Sequence, residues 1–374
     1  MISALVTLFL CGDLMTGRGI DQILPISNTP ILIERHVRDA RVYIALAEKR
    51  NGIIPNAVDY RYVWGDALEI LDNIQPATRI VNLETSITRS DDFWPGKGIH
   101  YRMHPGNVEL LKVAAINCCV LSNNHVIDFG FRGLLETLET LNRAGIKTAG
   151  AGETSSKAAA PAILEIVSGI KVVVFGYGTQ CAGVPKSWAA GGDTPGVNLL
   201  PDLSAQTAVE VIDSIKVQSR PEDLVIFSVH WGGNWGYTVP EEQIRFAHML
   251  IDSGAVDVVH GHSSHHVRPL EIYRGKLIMY GAGDFLNDYE GIERNEGYRD
   301  DLALMYFPTF DARTGRLTRL RMVPLQIFRF SLRRASAADA LWLRKVLNRE
   351  SSHFGTRVKL EDGQLEIALD QLQP

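Results

Sequence analysis

The sequence is short of the features that mark several common protein classes. Among 374 residues there are 4 cysteines, which excludes a disulfide-stapled scaffold and a cysteine-rich zinc domain. Cys11, Cys118, Cys119 and Cys181 all sit in apolar stretches, so buried, reduced thiols are expected. No apolar run approaches the roughly 18 residues that a membrane helix requires. One short run, Ala4-Leu5-Val6-Thr7-Leu8-Phe9-Leu10-Cys11, looks superficially like a leader. It has no basic segment before it and meets Asp13 almost at once, so it reads as a first buried strand. A basic excess is also missing. The formal net charge is -5, which argues against nucleic acid or an anionic membrane surface as a partner. There is no internal repeat and no low-complexity tract. A soluble, cytoplasmic protein is expected, and a homo-oligomer is compatible with this composition.

What is present is ample core material, 45% hydrophobic residues against 22% charged ones. β-branched runs alternate with amphipathic stretches for most of the chain. Strands are expected over 5–11, 78–83, 118–122, 162–166, 171–177, 224–230, 256–260 and 277–280. Helices are expected over 31–49, 64–73, 105–114, 130–144, 207–218, 241–252 and 336–348, the last with Ser336 as N-cap. Segments 90–98 and 188–196, rich in Gly, Pro and Asp, read as loops. Such alternation predicts a layered α/β fold. The chain divides on this reading into a main domain over 1–310 and a β-rich extension over 311–374 packed on it, with a hairpin turn at Asp362-Gly363. Arginines 319, 321, 329, 333 and 334 read as a solvated strand face with snorkelling side chains.

Chemistry gathers at the expected strand ends. Gly12-Asp13 follows the first strand, with Gly17-Arg18-Gly19 beyond it. Asn82-Leu83-Glu84 follows the second, and Ser122-Asn123-Asn124-His125 the third, with Asp128 and Gly130 leading into a helix. His230-Trp231-Gly232-Gly233, Gly261-His262-Ser263-Ser264-His265-His266 and Gly281-Ala282-Gly283-Asp284-Phe285 close later strands. Open α/β sheets bind ligands at the carboxyl ends of their strands. Carboxylates, an amide and imidazoles arriving there in succession form a mixed oxygen and nitrogen donor set. That set suits one or two divalent ions such as Mn, Zn, Fe or Ca, and argues against a thiolate site. Gly17-Arg18-Gly19 is not a phosphate loop, because no Lys-Ser/Thr follows it.

In this order the motifs resemble the bacterial capsule-synthesis family known as CapA or poly-gamma-glutamate capsule protein, itself similar to calcineurin-like metallophosphoesterases. Gly12-Asp13-Leu14-Met15-Thr16-Gly17-Arg18, Asn82-Leu83-Glu84, Asn123-Asn124-His125, His230-Trp231-Gly232, Gly261-His262 with His265, and Gly275-Lys276-Leu277-Ile278 carry the likeness. The resemblance implies a metallophosphatase-like layered sandwich of two mixed β-sheets flanked by helices. It further implies that Asp13 and His265 hold one metal, that Asn124, His230 and His262 hold another, and that Glu84 bridges them. His125 would act as general acid or oxyanion stabiliser, with Asp128 orienting a histidine.

The chain also departs from these patterns. Met15 stands where phosphoesterases of this kind place a histidine, and the bridging carboxylate is Glu84 and not aspartate. His266 and Asp284 are additional, and together they could form an acid/base pair. Arg18 could bind an anionic group or form a structural salt bridge. Trp231 and Trp235 could stack on substrate or pack internally. Asp288, Glu290 and Glu293 are expected to form a solvated acidic loop. His260 is expected to be structural. The leading functional expectation is a metal-dependent hydrolase of amide or phosphoester bonds in a peptide-like or anionic polymer. The alternatives are a metal-dependent peptide epimerase and a non-catalytic accessory protein of polyglutamate capsule synthesis.

Overall fold

Strand alternation explains the architecture. In the computed structural model, which describes residues 5–166, 170–292, 297–367 and 369, successive side chains of one strand serve different cores. Leu8 and Leu10 enter one apolar cluster while Phe9 and Cys11 enter another. Ile80 and Val81 divide in the same way, as do Cys118 and Cys119. Val172, Val174, Leu224, Ile226 and Val258 join the first cluster, and Val173, Phe175, Val225, Phe227 and Val259 a third. Strands buried on both faces read as continuous apolar runs, which is why these segments stood out.

The first cluster lies between two sheets that pack face to face. Among the described residues, one sheet has ten strands, in the order 358–361, 364–367, 316–328, 302–311, 5–14, 78–83, 118–120 and 147–149. Strand Asp284–Leu286 lies beside 5–14, and Ser331–Arg334 beside 316–328. The other sheet has six strands, in the order 270–273, 276–279, 258–262, 224–230, 171–178 and 162–165. Both are mixed sheets with a parallel centre. Helices Asp66–Ile74, Glu109–Val113 and Gly130–Arg143 cover the outer face of the larger sheet. Helices Ala205–Gln218 and Glu241–Asp252 cover that of the smaller one. Each fully buried Val, Leu, Ile or Phe contributes about 1.5–3 kcal/mol, and this apolar mass supports the polar centre described below.

Most expected elements form near their expected bounds. Ser336 caps helix Ala337–Ser351 by accepting the Asp339 amide hydrogen, and Asp362-Gly363 joins Val358–Glu361 to Gln364–Ile367. Arg319 pairs with Glu366, and the Arg333 guanidinium lies 3.6 Å from the Phe328 ring centre. Three readings need correction. The helix expected over 31–49 begins only at Arg41; Leu32 N–H donates to the Arg38 carbonyl and Ala40 N–H to that of Pro30, closing a turn instead. The acidic loop is not solvated. Asp288 is buried on Arg18, and Glu290 accepts the amide hydrogens of Arg329 and Phe330; Glu293 lies outside the described residues. Cys181 is exposed, whereas the other cysteines are buried, and all are free. Among the described residues no helix is long and apolar enough to cross a membrane.

Strand Asp284–Leu286 reaches its place because Gly12 has no side chain. A Cβ there would lie 1.7 Å from the Gly283 carbonyl oxygen, while Asp13 N–H donates to that same oxygen at 3.0 Å. Gly12→Ala is therefore expected to cost about 3 kcal/mol or more by overpacking. Gly98→Ala, where nothing lies within 4 Å, should change urea-unfolding stability by less than about 0.5 kcal/mol. Equal midpoints for the two variants would refute this account of the close approach.

Candidate metal centre

Register places the polar residues together. On the smaller sheet His230 is the direct partner of His262. On the larger sheet Asp13 is paired with Asn82 on one side and Asp284 on the other. Because both parallel sets end at the same edge of the molecule, these residues meet where the sheets face each other. Strand Val258–His262 continues past the expected end at 260 for this reason. His260, as expected, is structural. It lies 2.8 Å from the Cys11 carbonyl oxygen and 3.0 Å from Ser228 Oγ.

Asp13, His230 and His262 are all buried, and one donor atom from each lies within 4.8 Å of the others. Nδ1 of His230 and Nδ1 of His262 face each other at 2.9 Å, so one of them carries the hydrogen. His230 Nε2 lies 3.1 Å from Asn124 Oδ1 and 3.9 Å from Glu84 Oε1. Burial first, and neighbouring positive or imidazole groups second, push both histidines well below the usual imidazole range. Both imidazoles are neutral at physiological pH, the form that can offer a lone pair to a metal.

The carboxylates are crowded. Asp13, Glu84 and Asp284 are all buried. Burial first and Asp284 second raise the Asp13 pKa to about 7, against the lowering effects of His265, the Asn82 amide at 2.7 Å and the Ser263 N–H at 3.0 Å. Glu84 is raised well above the usual carboxylate range by burial, and then by Asp13 and Asp284. Its Oε2 is buried without a hydrogen-bond partner. Ser263, whose amide serves Asp13, holds a φ of 101°, a region that disfavours a residue with a side chain.

His125 sits at the rim. Its Nδ1 lies 2.6 Å from Asp128 Oδ2 and its Nε2 lies 3.8 Å from Glu84 Oε1. Burial lowers its pKa to about 4 despite the opposing pull of Asp128, so the Nε2 lone pair is free at neutral pH. Lys97, on the 90–98 loop, reaches Asp128 at 2.5 Å. Tyr101 packs edge-on against His125 at 4.5 Å and gives its backbone N–H to Asp128. Lone residues such as Lys97 and Tyr101 in an irregular segment left no sequence pattern to read.

The remaining candidates are placed differently. His265 pairs through Nδ1 with Asp284 Oδ1 at 2.9 Å, and its Nε2 meets Asn234 Nδ2 at 3.0 Å. Asp13 therefore clusters with the His230/His262 pair, while His265 stands with Asp284. His266 does not pair with Asp284. It lies among Trp235, Tyr237 and Tyr298, with Nδ1 on the Val267 carbonyl at 3.0 Å. Arg18 is buried in ion pairs with Asp288 and Glu34, and its guanidinium covers the Tyr43 ring at 3.9 Å. Trp231 is 0% exposed and donates to the Tyr280 carbonyl at 3.1 Å. Both occupy packing positions, so neither presents a surface to substrate here. Where phosphoesterases place a histidine, the Met15 sulfur accepts the Tyr289 hydroxyl at 3.4 Å.

Fold and site together define an α/β protein built on two large sheets, with a buried carboxylate–imidazole centre at its strand ends. The family model described as bacterial capsule synthesis protein PGA_cap matches residues 7–289, and the chain belongs to that family. It is 46% identical to a probable polyglutamine synthesis accessory protein of Mycobacterium tuberculosis, over 97% of this chain and 96% of that one. It is 27% identical to the PGA biosynthesis protein CapA of Bacillus subtilis, over 77% of this chain and 71% of that one. Identity to the capsule biosynthesis protein CapA of Bacillus anthracis is 26%, over 98% of this chain and 78% of that one.

The His265–Asp284 pair has a measurable pH signature. Burial works to lower the His265 pKa, but Asp284, with Asp13 and Asp300, raises it above the ordinary 6.5. A pKa raised on folding stabilises the fold fully below the unfolded value and loses that effect as pH rises through the folded one. Asp284→Asn should therefore cost about 3 kcal/mol near pH 5.5 and much less near pH 8.5, read by urea unfolding in chelator. The imidazole should also titrate lower by NMR. A stability gap independent of pH would exclude the pair.

Proposed function

We propose that this protein is a metal-dependent hydrolase acting on amide bonds of a peptide-like, carboxylate-rich polymer, in support of that polymer's synthesis. The observation that carries this reading is the buried Asp13–His230–His262 cluster beside Glu84, whose Oε2 has no partner. Buried carboxylates in such numbers are costly unless a cation or protons compensate them. Two neutral imidazoles and carboxylate oxygens form a donor set suited to Zn, Mn or Fe. The polymer comes from the names of the relatives, which speak of polyglutamine, PGA and capsule synthesis. The two face-packed sheets with helices outside fit the metallophosphatase-like layering implied by the motifs.

On this reading Asp13, His230 and His262 hold a divalent ion, with Glu84 and Asn124 in reach to complete its shell. The bound ion would polarise a scissile carbonyl and lower the pKa of a coordinated water. His125, held at Nδ1 by Asp128, keeps a free Nε2 lone pair on the Glu84 side. It takes a proton from the attacking water and returns it to the leaving amine. Asn82 and Ser263 fix both oxygens of Asp13, and Lys97 steadies Asp128. The epimerase alternative relied on an Asp284–His266 pair that is not formed. The relatives' accessory names favour a second reading, in which the chain keeps the centre and assists synthesis without cleaving bonds.

Elemental analysis and polymer cleavage separate these readings. His230→Ala and Glu84→Gln should lose most bound metal. His125→Gln should keep it and slow cleavage of purified poly-γ-glutamate by about 10²–10⁴. A metal-loaded wild type that leaves the polymer intact would favour the accessory reading, and undiminished metal in His230→Ala would overturn the centre.

Metal uptake should also depend on pH with a defined sign. Without metal, Asp13 holds a proton below about pH 7, whereas His230 and His262 are already neutral. Each ion bound near pH 6 should displace at least about one proton, from Asp13 and also from Glu84, whose proton affinity burial raises, and affinity should rise at least about ten-fold per pH unit between about pH 5 and 7. Calorimetry in buffers of different ionisation heat reads this directly. Affinity that falls with rising pH would contradict the assignment of Asp13.

A further inference from the structure

We propose that Arg268 and Gln243, beneath the glycine-rich loop 232–236, form a carboxylate-binding subsite beside this centre. Arg268 is 4% exposed. Its Nη2 meets the Thr238 carbonyl, while Nε and Nη1 are buried without partners. Among the described residues no carboxylate forms an ion pair with it. Burial pulls its pKa down, and the opposing influence is the Cys181 sulfur. Gln243, on helix Glu241–Asp252, is 0% exposed, with both amide atoms unpartnered.

The two side chains converge on one point. A Cβ on Gly232 would lie 2.9 Å from Gln243 Nε2 and 3.1 Å from Arg268 Nη1. Gly232, with φ of 77°, puts no side chain between them. A buried, unpaired guanidinium is unfavourable, as is a buried amide with both ends unmet. A carboxylate satisfies both, accepting from the guanidinium and from Nε2 of the amide. Gln243 Oε1 is then free to accept an N–H from the same ligand. His266, close enough to Arg268 to feel its charge, carries another unmet acceptor. Its Nδ1–H donates to the Val267 carbonyl, which leaves the lone pair on a buried, unpartnered Nε2. A group carrying a carboxylate and an amide N–H, as in a glutamyl unit, matches this arrangement.

The loop links the subsite to the centre. Gly232 and Gly236 hold φ of 77° and 107°, and Trp235 is 42% exposed. Asn234 ties the loop to His265, its carbonyl accepting the His265 N–H at 3.0 Å. The subsite deepens the functional reading above and rests on it only for the source of the carboxylate.

The test uses the full chain loaded with Mn²⁺ and three probes in calorimetry: N-acetylglutamate, a γ-glutamyl hexamer and its fully amidated counterpart. Wild type should prefer the acidic hexamer to the amidated one, and Arg268→Gln should erase that preference by weakening acidic binding about ten-fold or more. Metal content should be unchanged. Gln243→Leu is the second variant and should weaken binding less. Should Arg268→Gln fail to fold, Gln243→Leu still reads the subsite. Equal affinities in wild type and both variants would overturn it, as would a wild type that binds no carboxylate. Binding of N-acetylglutamate through Arg268 without binding of the hexamer would support the subsite and overturn the polymer as its source. Hexamer cleavage with no dependence on Arg268 would do the reverse.

Discussion

The close backbone approach of Gly12 to Gly283 governs the rest of the centre. It draws strand Asp284–Leu286 against Leu5–Leu14 and so brings a second carboxylate to Asp13. On that same edge, further back, Leu302–Asp311 pairs antiparallel with Leu5–Leu10, while Thr78–Leu83 takes the opposite edge. The first strand is thereby held on both edges, and its end cannot drift from the smaller sheet. Glycine here serves packing and electrostatics at once, because the approach it permits is what lets Asp284 raise the proton affinity of Asp13.

That crowding is answered locally. Asn82 and Ser263 donate to Asp13, His265 and Asn287 to Asp284, and Lys97 stands behind Asp128. Glu84 keeps a buried oxygen without a hydrogen-bond partner. Behind these residues Arg18 joins Asp288 and Glu34, and its guanidinium lies near the rings of Tyr43, Tyr101 and Tyr289. Tyr101 touches His125 and Tyr289 touches His265. An arginine with the chemistry of an anion receptor thus acts as a brace for two aromatic walls of the centre. Its partners lie 16 and 270 positions away in sequence, a separation no local pattern announces.

The fold was legible because the parallel strands are buried on both faces and so spell themselves as β-branched runs. Leu224–His230 and Thr78–Leu83 match their expected bounds. Strand ends were equally legible, since Asp13, Glu84, Asn124, His230 and His262 each follow such a run. What the sequence did not disclose was pairing. Whether Asp284 faces His265 or His266 depends on which side of the chain each imidazole leaves, and the Ser263 turn decides that. Nor could Trp231 be told from a surface aromatic, because Gly261, whose Cβ would lie 2.6 Å from the indole Nε1, covers it only in three dimensions. Asn234 and Arg268 were missed for the same reason, being single polar residues in segments without periodicity.

Ser263 carries a consequence of its own. Its φ of 101° is a conformation that glycine adopts without penalty and serine does not. Its amide is held to Asp13 and its hydroxyl to the Gly232 carbonyl at 3.2 Å, so the strained turn is what couples the first strand to the loop. A chain selected in the laboratory for heat tolerance would drift toward glycine at this position, and one selected for a tight link between strand and loop would keep serine. Position 263 is where those two campaigns would part company.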